Sequence, residues 1–207
     1  LGSGPVSSYA SLAEKLGVFS SQYVAFNPSH LEINYHGKLA RHDGTLLRLC
    51  FLKGLLQSRH DYVSYVNANQ QAENAGLHIE EKDDPGFTDY ESALNCILST
   101  SGQQFSIGGV VFSGPHPRIT LIDGFVCEFE AEGTILATTN QDRPGMVGVL
   151  GTCLGKNSVN IDQFQLSRNT PGGEALSLIR VDEDLPDSVL DEIRKMEGIT
   201  SVCKIIL

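Results

Sequence analysis

Two periods of apolar and polar positions alternate along the chain. Leu12, Leu16, Phe19 and Tyr23 recur at three- and four-residue spacing, which predicts an amphipathic helix over residues 9–23 that Pro28 stops. Leu31, Ile33 and Tyr35 then alternate with Glu32, Asn34 and His36, the pattern of a half-buried strand, before Gly37 and Gly44 mark a turn region. Leu46, Leu47, Cys50, Phe51, Gly54 and Leu55 give the apolar face of a second helix, and residues 63–75 read as a third, ended by Gly76. Strands are expected next over 77–82, 93–99, 104–112 and 118–122, separated by turns at residues 83–86, at Ser101-Gly102 and at Gly114-Pro115.

A boundary is expected near Glu128–Gly133, where an acidic stretch precedes a fresh apolar strand. Beyond it the pattern predicts strand (134–140), helix (144–156), strand (159–167), strand (174–181), helix (186–196) and strand (200–207). Thr170-Pro171-Gly172-Gly173 makes the middle two strands a hairpin. In the last helix Leu185, Val189, Ile193 and Met196 form the buried stripe. Asp187 and Asp191 sit toward its start and Arg194 and Lys195 toward its end, as the helix dipole favours, and Gly198 closes it.

Residues 140–160 carry the clearest chemistry. Asp142 precedes Arg143-Pro144-Gly145, and proline suits a first helical position, so a helix is expected to open there. Its unpaired first-turn amides, with the dipole, favour a carboxylate or phosphate. Asp142 can cap those amides or receive an ammonium group, and a capped helix without a ligand is the plain alternative. Met146, Val149, Leu150, Cys153 and Leu154 form a core-facing stripe, while Gly145, Gly148, Gly151 and Gly155 fall on the opposite side. Interior glycines destabilise a helix by about 0.8–1 kcal/mol each relative to alanine. A smooth face of that kind suits the close approach of another backbone or a ligand.

The 207 residues, 41% hydrophobic, suffice for a real core in one large or two small domains. A formal net charge of -10 argues against a nucleic-acid partner, since phosphate binding needs clustered Lys and Arg. Five dispersed cysteines with no C-x-x-C pair point to neither a disulfide framework nor a zinc site, and fit a reducing cytoplasm. No apolar run reaches the roughly 18 residues of a membrane span. With Met146 and Met196 its only methionines, the chain reads as a piece of a longer protein, and Leu1-Gly2-Ser3 as a cleavage scar.

The βαββαβ order, with D-R-P-G opening its first helix and V-N-I its second strand, resembles the ACT domain, a small regulatory module that binds amino acids. N-Q-D-R-P-G-M-V-G-V-L-G-T-C-L-G-K-N-S-V-N-I and P-G-G-E-A-L resemble the ACT domain of D-3-phosphoglycerate dehydrogenase, the NAD enzyme that starts serine synthesis. L-A-E-K-L-G (12–17), L-K-G-L-L (52–56), Y-V-N-A (65–68), A-G-L-H-I (75–79), G-G-V-V-F (108–112) and P-R-I-T-L-I-D-G (117–124) resemble the intervening domain of its long form. The resemblance implies an α+β protein of two domains: an α/β intervening domain over residues 4–130 and a ferredoxin-like βαββαβ ACT domain over 133–207.

It also implies a site. In that family serine binds between ACT domains, and the matching positions here are Asn140, Asp142 and Asn160, with Pro144 and Gly145 at the turn. Asn140 stands where other members carry His or Tyr. The intervening domain of the family is an allosteric anion or substrate site, which makes Arg118, His116 and Lys53 the candidates there, beside a basic cluster of Lys38, Arg41, His42 and Arg48. Phe125 and Glu130 stand where some relatives use basic residues. No strand–G-x-G-x-x-G–helix turn and no histidine ligand spacing occur, so the chain is expected to be non-catalytic and without a cofactor or metal of its own, NAD belonging to the parent enzyme. The expected partners are L-serine or a similar amino acid and a second copy of the chain. A ligand-free oligomerising module, or the regulatory part of another amino-acid enzyme such as a serine dehydratase, are the alternatives.

Overall fold

The computed structural model describes residues 5–58, 62–86, 89–112 and 116–207. The turn expected at Gly114-Pro115 and the Leu1-Gly2-Ser3 segment lie outside them. The chain divides into two compact units, Leu1–Asp123 and Gly124–Leu207.

In the first unit, α1 (Pro5–Tyr23) is followed by β1 (His30–Gly37), a 3-10 turn (Leu39–Arg41), α2 (Thr45–Leu56), α3 (Ala68–Asn74), β2 (His78–Asp84), β3 (Ser92–Ser99), β4 (Gln104–Phe112) and β5 (His116–Ile122). The strand order is β2-β1-β3-β4-β5, with β2 parallel to β1 and the later neighbours antiparallel. The apolar period-2 residues Leu31, Ile33 and Tyr35 are all buried, as are Leu12, Leu16 and Phe19 of α1. Tyr9 Oη donates to Ser92 O at 2.7 Å, holding α1 on the sheet. Gly17 and Gly54 mark the helix crossing: a methyl on Gly17 would stand 2.2 Å from Phe51 O, and one on Gly54 2.2 Å from Glu14 O. The backbones of α1 and α2 therefore touch, which no other residue type permits.

The third helix is shorter than its apolar pattern implies, running Ala68–Asn74 and not 63–75. Asn67 is the reason. Its Oδ1 accepts from the Ser64 N–H and hydroxyl at 2.7 and 3.1 Å, and its Nδ2 donates to Tyr62 O at 2.8 Å. The side chain thus organises a loop in place of a helical turn.

In the second unit, β6 (Phe125–Glu130) is followed by β7 (Thr134–Gln141), α4 (Met146–Lys156), β8 (Ile161–Arg168), β9 (Glu174–Val181), α5 (Asp187–Arg194) and β10 (Ile199–Ile206). The sheet β10-β7-β9-β8 is antiparallel throughout, the ferredoxin-like βαββαβ arrangement expected. Leu136 and Ile179 of the central strands share one core with Leu150 and Leu154 of α4 and Val189 and Ile193 of α5, so both helices cover the same face. Val149, expected in that stripe, is instead 44% exposed beside Val147. After α4, Ser158 adopts a left-handed φ of 58° and Val159 N–H bonds back to Leu154 O, so the next strand starts at Ile161 and not at 159.

Candidate functional site

The turn between β7 and α4 is built differently from a proline-started helix. Gly145 has φ 96°, a left-handed backbone that breaks the helix, so α4 begins at Met146 and Pro144 stays in the turn. The first helical bond runs from Val149 N–H to Gly145 O. No side chain among the described residues caps this helix start. The amides of Met146, Val147 and Gly148 are the first-turn donors, and the same residues line a cavity of about 500 Å³ together with Asn140, Asp142 and Arg168.

Asp142 does not cap α4. Its Oδ2 accepts from Arg168 Nη1 at 2.8 Å and from the Gly172 N–H at 2.9 Å, and its own N–H donates to Gly173 O at 2.7 Å. The carboxylate ties the β7–α4 turn to the β8–β9 hairpin. The Gly172 amide and then the Arg168 guanidinium hold its carboxyl below the usual carboxylate range. Arg143 anchors the other side of the turn, donating to Glu197 Oε1 at 2.8 Å and to Glu197 O. No motif or spacing marks the role of either arginine. The signal for Arg168 is a lone basic residue next to the hairpin turn, facing an acidic turn.

Asn140, the last residue but one of β7, lies between its two neighbouring strands, in register with Ala175 and Ile199, and is 1% exposed. Its Nδ2 donates to Gln141 O at 2.8 Å, while its Oδ1 is buried with no hydrogen-bond partner among the described residues. An unpaired buried acceptor is destabilising by roughly 1–3 kcal/mol. Asn160 is elsewhere. It precedes Ile161, which pairs with Val181 at the far end of β9, and its Nδ2 donates to Asp182 Oδ2 at 2.6 Å. Its N–H donates to Glu183 Oε2 at 2.8 Å. One chain therefore gathers Asn140, Asp142, Pro144 and Gly145 around the cavity and leaves Asn160 outside it.

The glycine face of α4 is open, since a methyl on Gly148, Gly151 or Gly155 would meet nothing within 4 Å. A groove of about 380 Å³ runs beside it, lined among others by Val149, Cys153 and Met196.

In the first unit several basic residues are spent on carboxylates. Lys53 Nζ lies 2.5 Å from Glu14 Oε1 and 4.5 Å from the centre of the Tyr65 ring, and the bond to Glu14 raises its pKa. Arg48 pairs with Glu81 and Lys38 with Glu91. Of the other candidates, His116 is exposed at the start of β5 opposite Phe112, and Arg118 is half-buried opposite Val110. Lys53 sits on α2, away in the chain from both, with its charge already matched.

A family model of the D-3-phosphoglycerate dehydrogenase intervening domain matches residues 5–123. The D-3-phosphoglycerate dehydrogenase of Synechocystis sp. is 33% identical over 193 residues, 92% of this chain and 35% of the relative. That of Methanocaldococcus jannaschii is 31% identical over 205 residues, 99% of this chain and 39% of the relative, and that of Bacillus subtilis 28% identical over 195, 94% and 37%. The chain thus spans well under half the length of these relatives. Among solved structures, the ACT domain from GTP pyrophosphokinase of Chlorobium tepidum aligns over 35% of this chain and 95% of its own, with TM-score 0.30 and 20% identity.

Proposed function

This chain belongs to the D-3-phosphoglycerate dehydrogenase family, matched through its intervening domain, and from that membership we propose that it serves as the enzyme's regulatory part and takes an amino acid, L-serine first, at the head of α4. The observation that carries the reading is the cavity itself. It is lined by the residues of the uncapped α4 start, by Asp142 and by Asn140, whose amide oxygen is buried without a partner among the described residues. A zwitterion complements that arrangement, its carboxylate on the helix amides and its ammonium toward Asp142. The hydroxyl of serine can donate as well as accept, and a polar partner such as an asparagine amide suits it.

Feedback control of serine synthesis in the cytoplasm follows from this reading, the five free thiols fitting a reducing compartment. Hydride transfer to NAD is assigned to the parent enzyme's other parts, because this sequence has no phosphate-binding glycine turn. NADH formation from 3-phosphoglycerate by the pure chain would contradict that assignment. Lys53, committed to Glu14, drops out of the anion site proposed in the first unit.

Calorimetric titration with L-serine tests the site. The parent chain is expected to bind and Asp142→Ala to bind at least about tenfold more weakly, while the exposed Glu128→Ala binds as the parent does. Equal binding by a folded Asp142→Ala protein would remove the site. The satisfied state of Asp142 and the open glycine groove favour a second reading, a self-associating module without a ligand. Dimers with no heat from any amino acid at millimolar concentration would select it.

A further inference from the structure

The parallel pair β1–β2 sets matched residues side by side: His30 against His78, Glu32 against Glu80, and Asn34 against Lys82. Leu31, Ile33 and Tyr35 face the core, so these polar residues all project from the other face of the sheet. His30 Nε2 lies 3.6 Å from Glu80 Oε2, and the ligating atoms of His30, Glu32 and Glu80 all fall within 4.8 Å of one another. The His78 ring stacks on that of His30, centroids 5.2 Å apart.

We propose that this rung of the sheet binds a divalent transition-metal ion of the zinc class, with His30, Glu32 and Glu80 as its three protein ligands and the fourth position open to solvent. Zinc bonds of about 2.0–2.2 Å in a tetrahedron hold ligand atoms roughly 3.3–3.6 Å apart. The His30–Glu80 pair already has that spacing, and a Glu32 carboxylate oxygen lies within 4.8 Å of both. An imidazole with two carboxylates is a donor set for a borderline metal, whereas calcium and magnesium take six or more oxygens. The side chains of His30, Glu32 and Glu80 are 33%, 21% and 47% exposed, so an ion reaches them without backbone movement.

Lys82 is the resident competitor. Its Nζ lies 2.5 Å from Glu32 Oε2 and 3.4 Å from Glu80 Oε1, bridging the two carboxylates the metal needs. Binding therefore means exchange of an ammonium for a dication. The metal then clips β2, an exposed edge strand, to β1.

The test is a zinc titration of the reduced, untagged chain against a chromophoric chelator, with thermal unfolding and a cobalt absorption spectrum as parallel readouts. One zinc per chain at micromolar concentration, a raised unfolding temperature and tetrahedral cobalt bands are expected, with no response to millimolar magnesium. His30→Gln and Glu80→Gln should each weaken zinc by roughly tenfold or more. Lys82→Met, which removes the competitor and no ligand, should tighten it. Zinc binding that is absent, or unchanged by His30→Gln, or not strengthened in a folded Lys82→Met protein, overturns the assignment.

Discussion

At Asp142 two donors meet one carboxylate oxygen, and both favour its charged form. Its folded pKa therefore lies below that of the unfolded chain, about 3.9. The sign follows directly. What the ionised group contributes is fully present above the unfolded value and is lost as pH falls through the lower folded one. An ammonium bound at Asp142 needs the same ionised form. L-serine affinity is thus expected to stay flat from neutral pH down to the ordinary aspartate value of about 3.9 and to fall only below it. A titration series across pH checks it, and a loss centred between pH 6 and 7, the range of an ordinary histidine, would place the ammonium elsewhere.

Glycines in three helices carry two opposite meanings. At Gly17 and Gly54 an added methyl meets a backbone oxygen at 2.2 Å, so the α1–α2 crossing must open. Gly17→Ala is expected to destabilise the first unit by about 1–3 kcal/mol, read as a lower unfolding midpoint. At Gly151 an added methyl meets nothing within 4 Å. Gly151→Ala should raise the stability of the dilute chain by about 0.8–1 kcal/mol through helix propensity. The same methyl on a contact face should weaken self-association, and a variant both more stable and equally associated in sedimentation would remove that face from the contact. Element types were legible because burial has a period: β9 runs Glu174–Val181 as its apolar residues and turn signals require, and Leu31, Ile33 and Tyr35 face the core. Element ends were not, because side chains and backbone angles decide them locally. Asn67 builds a loop where periodicity extends a helix, and Gly145 delays α4 by adopting a conformation that composition alone leaves open. In the same way D-R-P-G marks the site's place, but the partner of Asp142 comes from Arg168, which only the hairpin brings near.

Across the whole molecule, the spacing of the two asparagines sets what one copy can do. Asn140 pairs with Ala175 at the start of β9, and Ile161, next to Asn160, pairs with Val181 at its end. Six residues of strand separate them, about 20 Å, several times the reach of a small amino acid. If Asn160 contacts the ligand bound at Asn140 and Asp142, it comes from a second copy, and ligand and partner then bind as a linked pair. Apparent L-serine affinity is therefore expected to rise with chain concentration through the monomer–dimer range, and L-serine to shift that equilibrium toward dimer. Each copy carries a formal charge of -10, so added salt, by screening the repulsion between copies, should strengthen association and with it the binding. Asn160→Ala should reduce L-serine affinity by roughly fivefold, the loss of one hydrogen bond of about 1 kcal/mol. Calorimetry at several chain concentrations, paired with sedimentation with and without L-serine, measures both sides of the linkage. An affinity independent of concentration and untouched by Asn160→Ala would mean that the cavity at the head of α4 is complete within a single chain.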